Sequence, residues 1–160
     1  MNARDPMRAR PSAADVAAVV ATLARDFGAR AKAGARAKGD GIARITINRP
    51  SQYNAYSTAA LEELAAAFRD AAFDDAVGVI VLTGAGDRAF CTGGDVKEYA
   101  ANYVATPRDY WKYMALFRAY IESILNTGKP VIARINGMAV GGGNESQLAC
   151  DLSVMAQHAY

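Results

Sequence analysis

The chain has 160 residues, of which 52% are hydrophobic and 21% are charged. This is the ordinary composition of a folded globular protein of about one domain, and it excludes disordered, collagen-like and disulfide-rich classes. The formal net charge is +2, but residues 1–44 carry nine basic and four acidic side chains, whereas residues 45–160 carry nine and twelve. The basic excess is therefore confined to the N-terminal segment, and we expect no nucleic-acid partner.

The counts of cysteine and histidine exclude several kinds of site. The chain contains two cysteines, Cys91 and Cys150, and one histidine, His158. Two cysteines do not make a disulfide framework, so we expect a reducing, cytoplasmic location. A single histidine disfavours a histidine-rich zinc site or a histidine-based triad, and we expect no metal. No apolar run reaches the roughly 18 residues of a membrane span, and charges flank the apolar stretch 16–24, which disfavours a signal peptide.

Residues 1–40 are predicted to form a separate N-terminal segment. Apolar residues at helical spacing between Val16 and Phe27 predict an amphipathic helix. The Ala/Gly/basic near-repeat at 28–39 is interpreted as a flexible linker or weak edge strand, with a phosphate-contacting arm as the alternative. We therefore divide the chain into this segment and a domain over 41–160.

From residue 41 onward, predicted strands alternate with predicted helices. Ser57 is expected to cap the first helix, another helix begins near Asp95, Thr106 opens a third with Pro107 in its first turn, and a short one ends near Cys150. This alternation predicts an α/β fold with a largely parallel sheet and helices packed outside it. The predicted strands cover residues 42–47, 78–83, 131–135 and 152–155.

Two glycine-rich turns between a strand and a helix carry the strongest chemical signal. They cover residues 90–95 and 139–145. In such turns, backbone N–H groups can approach a ligand oxygen because no Cβ intervenes. Two donors that converge from separate turns form an oxyanion hole, which stabilises negative charge on a carbonyl oxygen. A tight turn is the alternative for either one alone, and neither matches a nucleotide-binding glycine motif.

Three segments resemble the crotonase (enoyl-CoA hydratase/isomerase) superfamily in order and spacing: 48–55, 83–95 and 129–145. The resemblance implies a crotonase-like ββα spiral core with a largely parallel sheet. In the hydratases a second catalytic acid and C-terminal helices follow, at positions that would fall past Tyr160. We therefore expect residues 41–160 to be the N-terminal part of such a domain, incomplete at the C-terminus.

The resemblance also implies roles for individual residues. The backbone N–H groups of Gly94 and Gly142 would hold the thioester oxygen, and Glu145 would handle water. The alternative to a catalytic role for Glu145 is a structural one, in which the acid is favoured by the helix dipole. For Asp95, which follows Gly94, the alternative to a functional role is a simple helix cap. No separate cofactor is expected, because coenzyme A is part of the substrate. Its contacts would map to Ala55, Thr92 and Lys97.

Within the superfamily, segments 52–58, 97–100 and 110–114 are most similar to hydrolases that open a cyclic oxo-acyl-CoA in anaerobic benzoyl-CoA degradation. This similarity implies an enzyme that hydrates its acyl-CoA substrate and then cleaves a C–C bond by hydrolysis. The alternatives are a general enoyl-CoA hydratase/isomerase and a non-catalytic, truncated crotonase. For a complete chain the resemblance implies a homotrimer or hexamer.

Overall fold

The computed structural model describes residues 41–160. The helix and linker predicted for residues 1–40 lie outside the described residues, so the division at residue 40 stays a prediction. The elements in chain order are β1 (Ile42–Ile47), α1 (Thr58–Phe73), β2 (Val79–Gly84), β3 (Ala89–Cys91), α2 (Val96–Asn102), α3 (Tyr110–Leu125), β4 (Val131–Ile135), β5 (Met138–Ala139), α4 (Gly142–Leu148) and β6 (Leu152–Met155).

Four strands form a parallel sheet in the order β1-β2-β4-β6. Parallel neighbours need a crossover connection, and helices lie in all three crossovers. Every residue of β2 and β4 is buried, as expected for central strands covered on both faces. The predicted α/β fold with a largely parallel sheet is confirmed.

Of the two long helices, α1 begins where the sequence predicts and α3 does not. The Ser57 side chain accepts a hydrogen bond from the Ala60 N–H at 3.2 Å and so caps α1. Helix α3 begins at Tyr110, because residues 107–109 form a 3₁₀ turn instead of the first turn of an α-helix. The Thr106 hydroxyl donates back to the Asn102 carbonyl at 3.0 Å, so it does not cap the next helix.

The main core lies where α1 and α3 pack against each other and against one face of the sheet. Within it the rings of Tyr56, Phe117 and Tyr120 pack against one another, with centroids 5.3 to 6.3 Å apart. The largest fully buried side chains are Tyr56, Tyr113, Tyr120, Phe68 and Phe90.

A second, two-stranded parallel sheet was not predicted from the sequence. In it β3 pairs with β5, with Ala89 opposite Met138 and Cys91 opposite Ala139. Strands of three and two residues are too short to show an alternating pattern. The carboxyl ends of parallel strands lie at the same edge, so the turns that follow Cys91 and Ala139 emerge side by side.

Candidate active site

The two glycine-rich turns lie against each other. The Val140 N–H donates to the Cys91 carbonyl at 3.1 Å. A Cβ on Gly93 would lie only 2.8 Å from the Gly142 nitrogen, and the φ of Gly93 is +86°, in a region that side chains disfavour. Glycine is therefore required for the two turns to approach this closely.

Each turn presents a backbone N–H that has no acceptor within residues 41–160, at Gly94 and at Gly142. Gly94 lies opposite Tyr56 in an isolated parallel bridge, in which the Tyr56 N–H donates to Gly93 at 2.7 Å and the Asp95 N–H donates to Tyr56 at 2.8 Å. A residue bracketed in this way directs its own N–H away from the bridge partner. Gly142 is the first residue of α4, where N–H groups lack an intrahelical acceptor.

Aromatic residues of α2 and α3 cover these two glycines. A Cβ on Gly94 would lie 3.0 Å from the Tyr113 hydroxyl, and a Cβ on Gly142 would lie 3.2 Å from Cε2 of Phe117, one turn further along α3. The Tyr99 hydroxyl lies closer still to Gly94, and its ring centroid is 4.9 Å from that of Tyr113. Burial raises the pKa of Tyr99 to about 12 and that of Tyr113 further, so both hydroxyls stay protonated at neutral pH.

Glu145 lies three residues after Gly142 in α4, and its side chain is exposed. Residues three apart on a helix lie on the same face. Within the described part of the chain the Glu145 carboxylate has no hydrogen bond and no ion pair. It is therefore free to bind a water molecule or to accept a proton beside the Gly142 turn.

Asp95 is buried and fixes the start of α2. Its Oδ1 accepts hydrogen bonds from the N–H groups of Lys97 and Glu98 at 3.1 and 3.3 Å, and its Oδ2 pairs with Arg49 at 2.8 Å. Burial alone would raise the pKa of Asp95, but the hydrogen bond from Arg49 and those from the helix N–H groups outweigh it and lower that pKa. Asp95 is thus a helix cap that holds the Gly94 turn in place.

We expect Asp95→Asn to lower the free energy of unfolding by about 1 kcal/mol, because asparagine can still cap the helix but loses the ion pair with Arg49. The pKa of Asp95 is lower in the folded protein than the value of about 4 in the unfolded chain. Its contribution is therefore present above about pH 4 and is lost as the pH falls through the folded-state pKa. Urea unfolding of wild type and variant should differ most at neutral pH. A difference that is the same at pH 3 and pH 7, or an equal effect of Asp87→Asn at an exposed position, would contradict this role.

The structure brings together two of the three residues assigned to coenzyme A contacts. The Thr92 hydroxyl donates to the Tyr53 carbonyl at 3.3 Å, two residues before Ala55. The Ala55 carbonyl accepts a hydrogen bond from Arg49 at 2.6 Å. Lys97 is exposed in the first turn of α2, and its N–H donates to Asp95, which pairs with the same Arg49. Its ammonium group has no ion pair within residues 41–160.

One cation near Tyr53 and Thr92 was not predicted from the sequence. The Arg88 guanidinium lies 4.3 Å from the centre of the Tyr53 ring and also contacts the Tyr53 hydroxyl. Stacking on an aromatic face orients an exposed arginine that would otherwise sample many rotamers. A single arginine in a glycine-rich turn carries no distinguishing sequence signal, because its partner lies 35 positions away.

Neither cysteine is suited to act as a nucleophile. Both thiols are free, and burial raises the pKa of Cys91 to about 11 and that of Cys150 to about 12. Thiols with such pKa values are protonated at neutral pH. In residues 41–160, no cluster of three potential metal ligands is found, and no helix is long and apolar enough to cross a lipid bilayer.

The described residues thus form a parallel α/β sheet with two adjoining glycine-rich turns, and each turn carries one backbone N–H that has no acceptor within residues 41–160. This chain belongs to the enoyl-CoA hydratase/isomerase family, whose model matches residues 37–160. The resemblance noted in the sequence is thereby confirmed.

Two curated relatives are 46% identical to this chain, and both are named 6-oxocyclohex-1-ene-1-carbonyl-CoA hydrolase. The protein of Geobacter metallireducens matches over 121 residues, which are 76% of this chain and 32% of that protein. The protein of Thauera aromatica matches over 110 residues, 69% of this chain and 29% of that protein. The chain thus spans less than a third of the length of these relatives.

Solved structures agree on the fold. An enoyl-CoA hydratase from Bacillus anthracis is 39% identical with a TM-score of 0.69, and the match covers 74% of this chain and 45% of that one. An enoyl-CoA hydratase/carnithine racemase from Magnetospirillum magneticum is 34% identical with a TM-score of 0.70, over 74% of this chain and 44% of that one. The crotonase-like fold class predicted from the sequence is confirmed.

Proposed function

We propose that the protein processes an acyl-CoA thioester whose carbonyl oxygen accepts hydrogen bonds from the backbone N–H groups of Gly94 and Gly142. The observation that carries this proposal is the pair of N–H groups, unpaired within the described residues, in two adjoining turns. Donors that are already in place stabilise the charge that develops on the oxygen without reorganising during the reaction. The residues Ala55, Thr92 and Lys97 contact the coenzyme A part of the substrate.

Glu145 is the acid/base group of this site. Adding water to the double bond of an enoyl thioester requires removal of a proton from water and delivery of a proton to the α-carbon. The exposed carboxylate of Glu145, one helical turn after Gly142, is unpaired within residues 41–160 and is the support for this assignment.

The proposed substrate is 6-oxocyclohex-1-ene-1-carbonyl-CoA, on the strength of the two curated relatives with that hydrolase name. The first water adds across the ring double bond, with oxygen on the β-carbon and hydrogen on the α-carbon. The second attacks the ring ketone. The bond between the ketone carbon and the α-carbon then breaks, and its electron pair moves toward the thioester oxygen. Protonation of the α-carbon leaves an open-chain dicarboxylic acyl-CoA.

Both steps place negative charge on the same thioester oxygen, so one pair of amide donors serves the hydration and the ring opening. The rings and protonated hydroxyls of Tyr99 and Tyr113 lie beside Gly94, and they are assigned to the wall of the acyl site. We place the reaction in the cytoplasm, given two unpaired cysteines, and propose a homotrimer or hexamer.

A general enoyl-CoA hydratase/isomerase is the second candidate, favoured by the solved structures that carry the hydratase name. The products separate the two functions, since ring opening consumes two waters and hydration consumes one. The protein should be purified in the form that its native cells make, and its intact mass should be measured. The masses of its products from 6-oxocyclohex-1-ene-1-carbonyl-CoA are then determined by mass spectrometry.

We expect a product that is heavier than the substrate by two waters. A product heavier by one water only would favour the hydratase, and an unchanged substrate would indicate a non-catalytic crotonase. The same assay with a linear enoyl-CoA is the control, because that substrate has no ring ketone and can take up only one water.

A further inference from the structure

The side chain of Tyr56 is completely buried below the two glycine-rich turns. Its backbone holds the first turn, through hydrogen bonds with Gly93 and Asp95 on either side of Gly94. The Tyr56 carbonyl also accepts a hydrogen bond from the Tyr113 hydroxyl at 3.3 Å. The position of Gly94 is therefore tied directly to the position of Tyr56.

The hydroxyl of the same residue reaches the second turn. It lies 2.6 Å from the Ser146 hydroxyl, and Ser146 donates to the Gly142 carbonyl at 2.8 Å. Because a serine has one hydroxyl hydrogen, which Gly142 receives, the Ser146 oxygen accepts from Tyr56. A continuous chain of hydrogen bonds thus runs from Tyr56 through Ser146 to the carbonyl of Gly142, the residue whose N–H is the second proposed donor.

We infer that Tyr56 is a positioning residue that sets the separation and orientation of the Gly94 and Gly142 N–H groups, with Ser146 as its link to the second turn. This inference rests on the proposed function, since it concerns the two proposed oxyanion donors. Tyr56 itself does not touch the substrate, because its side chain has no exposed surface. It acts only through the two turns.

The two donors need a positioning residue because they belong to different turns. Only the pairing of the very short strands β3 and β5, which precede these turns, joins them otherwise. Small errors in the placement of a catalytic group reduce the rate strongly. Buried hydrogen-bond networks in which every member has a partner specify a single geometry. Burial also raises the pKa of Tyr56 well above its usual value, so its hydroxyl hydrogen stays in place.

The test compares three variants that each remove one buried hydroxyl. Tyr56→Phe and Ser146→Ala interrupt the chain between the turns. Thr83→Val is the matched control, because the Thr83 hydroxyl is also fully buried but bonds the Arg134 carbonyl and Asn136, and no residue of the two glycine-rich turns. We expect kcat to fall roughly tenfold to a hundredfold in the first two, with KM nearly unchanged, and to stay near wild type in the control. Since Tyr56 and Ser146 act in one chain, the double variant should lose no more than either single variant.

A spectroscopic measurement distinguishes misplaced donors from a loss of stability alone. The probe is benzoyl-CoA with a 13C-labelled thioester carbonyl, which has no ring ketone and cannot be hydrated. Its C=O stretch should move to lower frequency on binding wild type and the Thr83 variant, and this shift should shrink in the other two. Equal shifts and equal kcat in all three variants, with only lower melting temperatures, would overturn the inference.

Failure of the inference about Tyr56 can be distinguished from failure of the proposed function. If wild type shifts the benzoyl-CoA carbonyl but forms no product with two added waters, the substrate assignment fails, and the carbonyl shifts of the variants still decide the role of Tyr56. If Tyr56→Phe does not fold, Ser146→Ala tests the same link from the second turn. A full carbonyl shift and full kcat in Ser146→Ala overturn the inference, and a reduced shift with reduced kcat supports it.

Discussion

Glu145→Gln is expected to lower kcat by a factor of about 10² to 10⁴, the usual contribution of a general acid/base group. Glutamine keeps the size and hydrogen-bonding capacity of the side chain but cannot take a proton from water. KM should change little, because the proposed role of Glu145 is in the chemical step. Steady-state kinetics on the cyclic substrate measure both parameters.

The alternative is that Glu145 only complements the dipole of α4. In that case Glu145→Gln would leave kcat near wild type and lower the free energy of unfolding by about 0.3 to 1 kcal/mol. Glu122→Gln is a matched control, since Glu122 is also an exposed helical glutamate but lies on α3, away from the glycine-rich turns. Similar kinetics for the two variants would refute the catalytic assignment of Glu145.

The part of the fold that could be predicted from the sequence is the part built from long, continuously apolar segments. Strands β2 and β4 are buried throughout, and the cap at Ser57 is a local pattern of a few residues. The glycine-rich turns were also visible, because Gly93 and its neighbours stand out in composition. Each of these signals lies within a short stretch of chain.

The features that complete the site depend on contacts between distant residues. Pairing of β3 with β5 joins Cys91 to Ala139, and the bond between the hydroxyls of Tyr56 and Ser146 spans 90 positions. A tyrosine near a motif can belong to the core or line a pocket. The sequence does not show which tyrosine hydroxyl faces the site. Only the folded structure shows that Tyr56 is buried while Tyr99 lies over Gly94.

Gly142→Pro is expected to reduce kcat/KM by a factor of about 10² to 10³ relative to Gly142→Ala, the usual effect of deleting one oxyanion donor. Proline has no N–H, and its fixed φ is compatible with the first position of a helix, which Gly142 occupies in α4. Alanine keeps the N–H while adding a Cβ about as close to Phe117 as that of proline. The ratio between these two variants therefore measures the replacement of the N–H group by the proline Cδ, which removes the donor and occupies its place.

A proline at the start of a helix can also change the activity by distorting the backbone. The variant Val96→Pro is the control for this effect. Val96 is the exposed first residue of α2, its N–H has no acceptor within residues 41–160, and Asp95 before it is in the extended conformation that precedes proline. Thermal unfolding should show a cooperative transition for all three variants. If kcat/KM of Gly142→Pro then equals that of Gly142→Ala, the Gly142 N–H does not hold the thioester oxygen, because the only hydrogen bond donor removed would have had no effect on the reaction.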